Sequence, residues 1–338
     1  MLRRVQQFHC QFRTNTFTFP QRSPSAGSLP EAPVMSLQYL RIFNYIDAIA
    51  RSGSIRKAAE GLFITPSALD RRLQDLEEDL DATLFERHAR GMRPTAAGEL
   101  FLKHARQQRA DYERLRTEIA QLRGLHRGTV SIAASQALAF SLFPDIITRF
   151  RQANPGITFT VRICDHGSAI QALRSFEADL ALVYNAQPSA DINQLLEVEQ
   201  RLCAVMAADH PLLQQPGLRM RDCLRYPLAL PDSSLGGRML LEAFFARSSL
   251  TPNVVLESNS FEMLRNFVRG SDAVSFQIQV GTALARAQDG VTARHIDDRG
   301  LGTRPLTLAQ LKGRHLPLPA MRFAQVLREV LAGDEAQA

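Results

Sequence analysis

Residues Gly53 to Thr95 read GSIRKAAEGLFITPSALDRRLQDLEEDLDATLFERHARGMRPT. Ile55, Ala58, Ala59 and Leu62 recur at helical spacing, and Ser54 stands where a side-chain oxygen caps a helix start. Gly61 falls in the last turn of that helix. Phe63 and Ile64 then bridge to Thr65, a second capping residue, and Pro66 occupies the first-turn position where a missing N–H costs nothing. A second helix therefore begins near Pro66. Its Leu69, Leu73, Leu76 and Leu80 fall on one face and are expected in a core, which leaves Ser67, Asp70, Arg71 and Gln74 on the opposite face near its start.

Helix, tight turn and helix is the arrangement that presents a helix to the major groove of DNA. Arg71 has the fork for guanine O6 and N7, and Gln74 has the amide for adenine. Arg72 on the flank suits a phosphate, as do the backbone N–H groups of the helix start around Thr65, Pro66 and Ser67. Downstream, Arg87, His88, Arg90 and Arg93 surround Gly91 in a loop ending at Pro94, which reads as a wing against the DNA backbone.

Outward from this stretch, Tyr39, Ile42, Phe43, Ile46, Ile49 and Ala50 form one face of a preceding helix that closes a three-helix core. After Thr95, another cap, Phe101, Ala105, Gln108 and Tyr112 begin a heptad seam that Leu115, Ile119 and Leu122 continue to Gly124. A seam of that length between two domains predicts a dimer helix, and the other reading is packing on its own domain. Two recognition helices on one DNA face would read two half-sites of an inverted repeat.

The ordered elements GSI-x-x-AAE-x-L, the turn, LEEDL, LFER, the basic loop and RPTAAGELFLKHA resemble the LysR-type transcriptional regulators. The resemblance extends more loosely over everything after Met35. It implies double-stranded promoter DNA as a partner, a homodimer often paired again into a homotetramer, and contact with RNA polymerase if the protein activates. Dual control of a neighbouring operon and its own gene, and carboxylic or aromatic acids as effectors, are common in that family. Two positions depart from the family's Ser-Gln-Pro-Ala-Leu-Ser-Arg: its Gln is Pro66 here and its second Ser is Asp70. A carboxylate at Asp70 repels phosphate yet can accept from cytosine N4, or it orients Arg71 or a neighbouring basic side chain.

Beyond the hinge Leu125 to Gly128 the texture changes to βαβ: a strand Thr129 to Ala134, a helix from Ser135-Gln136 through Phe150, and a strand Thr158 to Ile163. A helix from Ala169 and a strand Ala181 to Tyr184 continue the alternation, which predicts parallel sheet with helices on its faces. The expected protein is multidomain. An all-α winged helix-turn-helix domain spans 36–95, a coiled-coil linker helix 96–124, and an α/β domain 129–338, which the resemblance implies to be a two-lobed effector domain. The resemblance implies that this last domain is periplasmic-binding-protein-like. Lobe I then holds about 129–201 and 303–335, and lobe II about 202–302.

In such folds ligands meet the carboxyl ends of strands and helix N-termini in the cleft. Ser135 and Gln136 stand at the first such place and suit a carboxylate or another small anion, although Ser135 can equally cap its own helix. Ser233 and Ser234, beside Gly236-Gly237, offer donors from the other lobe, while Asn185 and Phe276 follow expected strands. His166, after Asp165, is a further cleft candidate.

The net charge of +6 is divided as +3 over residues 1–35, +3 over 36–127 and zero beyond, so the whole surplus lies where DNA binding needs it. Residues 1–35 carry Arg3, Arg4, Arg13 and Arg22 and a Pro/Ser-rich run without apolar periodicity. They read as a disordered extension, either a start-site artefact before Met35 or a basic arm. No signal peptide or membrane span is apparent, and a cytoplasmic chain is expected. Cys10, Cys164, Cys203 and Cys223 form no C-x-x-C pair, so neither metal nor a structural disulfide is expected. Some LysR-type regulators sense oxidants through a cysteine pair, and Cys203 and Cys223 are the nearest two here. The chain lacks a P-loop, a G-x-S-x-G elbow, an H-E-x-x-H pair and a strand-borne G-x-G-x-x-G, so neither catalysis nor a cofactor is expected.

Overall fold

The computed structural model describes residues 37–89, 91–122, 127–140, 142–248, 251–282, 290–298 and 300–335. The N-terminal extension, Arg90, Cys10 and part of the hinge lie outside the described residues. The described residues begin with three helices: α1 (Leu37–Ser52), α2 (Ile55–Leu62) and α3 (Pro66–Asp79). Ser54 caps α2 by accepting from the Lys57 N–H, and Thr65 caps α3 by accepting from the Ala68 N–H at 3.2 Å. Between them Phe63 ends α2 in the left-handed region at φ 56° and is almost wholly exposed. Ile46, Ile49, Ala58, Ala59, Leu69 and Leu73 meet in one core. Leu80 corrects the sequence expectation: α3 stops at Asp79, so Leu80 sits past its end and half exposed.

The wing is a two-stranded antiparallel hairpin, β1 (Phe85–His88) with β2 (Gly91–Pro94), pairing His88 with Gly91. Its strands hold to the core through Glu77, whose carboxylate accepts from the N–H groups of Leu84 at 2.6 Å and Phe85 at 3.2 Å. The next helix, α4 (Ala96–Leu122), crosses the hairpin so closely that a Cβ on Gly98 would overlap the Leu84 carbonyl oxygen. Because that neighbour is backbone and cannot swing away, Gly98→Ala is expected to cost at least about 1–3 kcal/mol. A drop in the thermal midpoint of the N-terminal domain would show it; an unchanged midpoint would contradict the close approach.

Among the described residues the C-terminal part holds two five-stranded sheets. Lobe I contains β3 (Gly128–Ala134), α5 (Leu142–Ala153), β4 (Ile157–Ile163), α6 (His166–Arg174), β5 (Leu180–Tyr184) and β6 (Ile192–Gln200). The chain then enters lobe II with β7 (Leu202–Ala207), the short α7 (Met220–Cys223), β8 (Leu228–Pro231) and α8 (Arg238–Phe245). Lobe II continues through β9 (Val254–Ser258), α9 (Phe261–Arg269), β10 (Val274–Ile278) and β11 (Val291–His295). The chain returns with β12 (Arg304–Leu311) and α10 (Leu318–Glu335). Helix α10 belongs to lobe I because the fully buried Phe323 meets Phe150 at 5.2 Å and Phe159 at 4.8 Å, edge to face.

The sheets are mixed, not parallel as the βαβ texture predicts. Their strand orders are β4-β3-β5-β12-β6 and β11-β7-β10-β8-β9. In lobe I the triplet β4-β3-β5 is parallel, while β12 runs antiparallel to β5 and β6. The antiparallel strands are those entering and leaving at the lobe junction, where no crossover helix imposes direction.

The seam on α4 divides. Phe101 stacks edge to face on Phe43 of α1 at 5.7 Å, and Ala105 is buried. Ala105 therefore satisfies its own domain, a correction to its expected place in a dimer contact, because the first turns of α4 lie along α1, while the half-buried Phe101 also lines a surface groove. Gln108 borders a groove between α1, α3 and α4. Tyr112, Leu115, Ile119 and Leu122 are exposed beyond it.

Candidate nucleic-acid interface and effector cleft

The exposed start of α3 carries Thr65, Pro66, Ser67, Arg71, Arg72 and Gln74. Arg71 and Gln74 make no hydrogen bond or ion pair within the described residues, so both side chains remain available to base edges. Arg72 lies on the α1 side of the helix, beside Arg41 and Asp75. Arg93 on the wing is exposed. Arg87 is already engaged: its Nη2 donates to Asp70 Oδ1 at 2.7 Å. Asp70 thus ties the wing to the recognition helix, a pairing with a neighbouring basic side chain rather than with Arg71. Both partners are about a third exposed or more, so the pair is worth a few tenths to about 1 kcal/mol.

The lobes enclose a cleft of about 680 Å³ lined by Ser135, Gln136, His166, Asn185, Ser233 and Ser234 among others. Phe276 is absent from it. Strand β10 runs three residues further than the sequence suggests, so Phe276 sits mid-strand, fully buried in the lobe II core, and Ile278 takes the cleft position. Ser135 also departs from expectation. It starts a short 3-10 turn, Gln136–Leu138, and makes no side-chain cap. Its Oγ instead accepts from the Tyr184 N–H at 3.2 Å, joining the carboxyl ends of β3 and β5.

Gln136 bridges the lobes, its Oε1 accepting from the Phe261 N–H at the start of α9 at 2.9 Å. Asn185, held in the left-handed region at φ 55°, reaches Met239 of lobe II, Nδ2 to Sδ at 3.8 Å. Asp165 caps α6, accepting from the N–H and hydroxyl of Ser168 at 3.0 and 2.6 Å. Those bonds hold its pKa below the ordinary carboxylate value, so it is ionised. Burial lowers the pKa of His166, keeping it neutral. The Gln187 N–H donates to its Nε2 at 3.3 Å, which leaves the proton on a buried Nδ1 that has no partner among the described residues.

Across the cleft Ser234 donates to Asp232 Oδ1 at 2.6 Å, while Ser233 makes no such bond. Among the described residues no Lys or Arg lines the cleft, and Asp165 supplies its formal charge. The sequence reading did not single out Asn259, Phe261 or Met239. Asn259 was within reach, because it follows β9 and precedes α9 as Ser135 follows β3. Met239 and Phe261 enter through tertiary packing of the second lobe.

Cys164, Cys203 and Cys223 are free, and burial pushes the Cys203 and Cys223 thiols up to about 11 and about 12. Both therefore stay protonated, against the reactive pair some regulators carry. Among the described residues no group of three or more His, Cys, Asp or Glu could hold a metal. No described helix is long and apolar enough to cross a membrane.

A winged helix-turn-helix joined by a long helix to a two-lobed, periplasmic-binding-like domain defines a DNA-binding transcriptional regulator with an effector domain. Family models agree. "Bacterial regulatory helix-turn-helix protein, lysR family" matches residues 40–99 and "LysR substrate binding domain" matches 123–332. The chain belongs to the LysR family of transcriptional regulators and is not an enzyme. It is 27% identical over 297 residues to the HTH-type transcriptional activator CmpR of a Synechocystis species, covering 88% of this chain and 96% of that one. A full-length variant of OxyR from Pseudomonas aeruginosa superposes with a TM-score of 0.63 at 20% identity, over 86% of this chain and 94% of the other. HinK, a LysR family regulator from the same organism, gives 0.51 at 26% identity over 86% and 98%.

Proposed function

We propose that this regulator binds a dyad-symmetric promoter site as a homodimer or a pair of dimers and responds to a small effector in the interlobe cleft. The observation that carries the DNA half is the uncommitted Arg71 and Gln74 beside the capped N-terminus of α3. The exposed half of the α4 seam, continuous with an apolar groove of about 650 Å³ lined by Ile42, Leu76, Leu80 and Leu100, supports a second copy of the chain as partner. Two copies place two recognition helices on half-sites related by a dyad. A cytoplasmic site of action, and contact with RNA polymerase where the protein activates, follow from this reading.

The effector is a small molecule that meets both polar and apolar side chains of the cleft. Any carboxylate it carries would be held by hydroxyl and amide donors, those of Ser135, Gln136 and Ser233, since no described Lys or Arg lines the cleft and Asp165 is ionised. Binding that favours one lobe closure shifts the population of DNA-binding arrangements, and by reciprocity DNA shifts effector affinity by the same factor.

Footprinting purified protein on the DNA flanking its own gene, across a salt series, tests the reading. Dyad-symmetric protection is the expected result; salt-sensitive coating without preference would overturn it. Asp70→Ala releases Arg87 and removes a carboxylate from the phosphate side. Its affinity for random duplex is expected to rise about two- to five-fold at low salt and to converge with wild type at high salt. A fall in affinity for the footprinted site alone would instead make Asp70 a base contact.

A further inference from the structure

Helix α6 runs from the effector cleft to the DNA-binding domain. Its cap Asp165 and first residue His166 line the cleft. Ala169, Ile170, Ala172 and Leu173 bury its inner face in the lobe I core with Ala133 of β3 and Ala181 of β5, so it shifts as one piece. Past its end Phe176 takes the left-handed region at φ 57°, and the chain turns through Glu177 to the buried Asp179. That turn is stiff. Arg314 donates to the Ala178 carbonyl and to Asp179 Oδ1, each at 2.6 Å, and its guanidinium lies over the Phe176 ring at 5.2 Å. Asp179 Oδ2 also accepts from the Ser131 N–H at 2.9 Å.

Glu177 leaves this turn toward the N-terminal domain. Arg51, in the last turn of α1, places Nη2 3.6 Å from Glu177 Oε1, while Arg162 of β4 holds Oε2. Among the described residues this is the ion pair that joins the DNA-binding domain to lobe I. Arg51 is itself oriented by the buried Asp47, at 2.8 Å, which also takes Arg106 and Arg109 from α4. A cavity of about 430 Å³ beside the pair is lined by Arg51, Arg106, Arg109 and Arg162 together with Glu113 and Asp179, so withdrawing Glu177 removes one of the few carboxylates facing these arginines.

We propose that α6 and Glu177 form the coupling element of this regulator: a ligand at the cleft end of α6 moves Glu177 relative to Arg51 and thereby holds or releases the DNA-binding domain. The inference rests on the reading of the cleft as the effector site. An exposed pair of this kind is weak, which suits a contact that must make and break within an equilibrium.

Hydrogen exchange of the last turn of α1 in the full-length protein, without DNA, tests it. Glu177→Ala is expected to speed exchange by roughly two- to five-fold, the factor a partly exposed ion pair supplies, and Arg51→Met, which also loses the Asp47 contact, by at least as much. The double variant should match Arg51→Met alone, because the Arg51 contact that Glu177→Ala removes is already lost there. Unchanged exchange in Glu177→Ala, or additive effects in the double variant, would overturn the latch. Ser233→Trp, which crowds the cleft from lobe II, should alter α1 exchange when Glu177 is present and not in Glu177→Ala. No effect of Ser233→Trp, or one that persists without Glu177, would overturn the link through α6. None of these readings uses DNA, so a failed footprint and a failed latch are told apart.

Discussion

Arg71→Ala is expected to erase the dyad footprint while leaving salt-sensitive, non-specific binding nearly intact. Arg71 is exposed near the start of α3, carries no partner within the described residues, and alone on that face has a planar fork able to take two acceptors on one guanine. A bidentate contact of this kind discriminates by about 1–3 kcal/mol, and two half-sites double it, so specific affinity should fall by roughly 30-fold to 10⁴-fold. Arg93→Ala should behave differently, weakening binding to all sequences alike and lowering the salt slope by about one contact per copy, about two for the dimer. Anisotropy titrations on the footprinted duplex and on random duplex separate the two behaviours. Equal losses on both duplexes for Arg71→Ala would mean that Arg71 grips phosphate, and base recognition would then rest on Gln74 or Ser67.

The DNA-binding half was legible in the sequence because its signals are local. A cap at Ser54, a cap at Thr65 and a proline at Pro66 act within one helical turn, and each lies where the spacing predicts. The cleft was legible by rule rather than by residue. Strand ends adjoining helix starts located Ser135, Gln136, His166 and Asn185, but Phe276 was lost because one strand runs three residues further than its flanks suggest. Side chains two residues apart on a strand share a face, so only the end of β10 decides which of Phe276 and Ile278 meets the cleft. Partners distant in sequence were not readable at all. Arg87 with Asp70 and Gln136 with Phe261 are set by how separate elements dock, and nothing local announces them.

The α4 seam shows the same division of local and tertiary control, and it yields the second large effect. Periodicity places Phe101, Ala105, Leu115 and Ile119 on one stripe, yet Ala105 is buried in its own domain and Phe101 only half-buried, while Leu115 and Ile119 are 49% and 43% exposed. Substitution should therefore separate folding from assembly. Ala105→Glu, at a position 1% exposed, is expected to unfold the N-terminal domain. Leu115→Glu with Ile119→Glu should leave the melting of the isolated chain unchanged and remove apolar burial from both copies. At about 1.5–3 kcal/mol for each fully buried side chain, four such losses set an upper bound of about 6–12 kcal/mol. Partial burial and residual contacts reduce this, and a rise of at least about 10³-fold in the dimer dissociation constant remains the expected result. Sedimentation velocity at micromolar concentration reads it directly, and the footprint should disappear with the dimer, because one half-site alone forfeits the second set of contacts. A double variant that still sediments as wild type would move the interface off α4 and leave the exposed leucines and the adjoining groove for a partner other than a second copy.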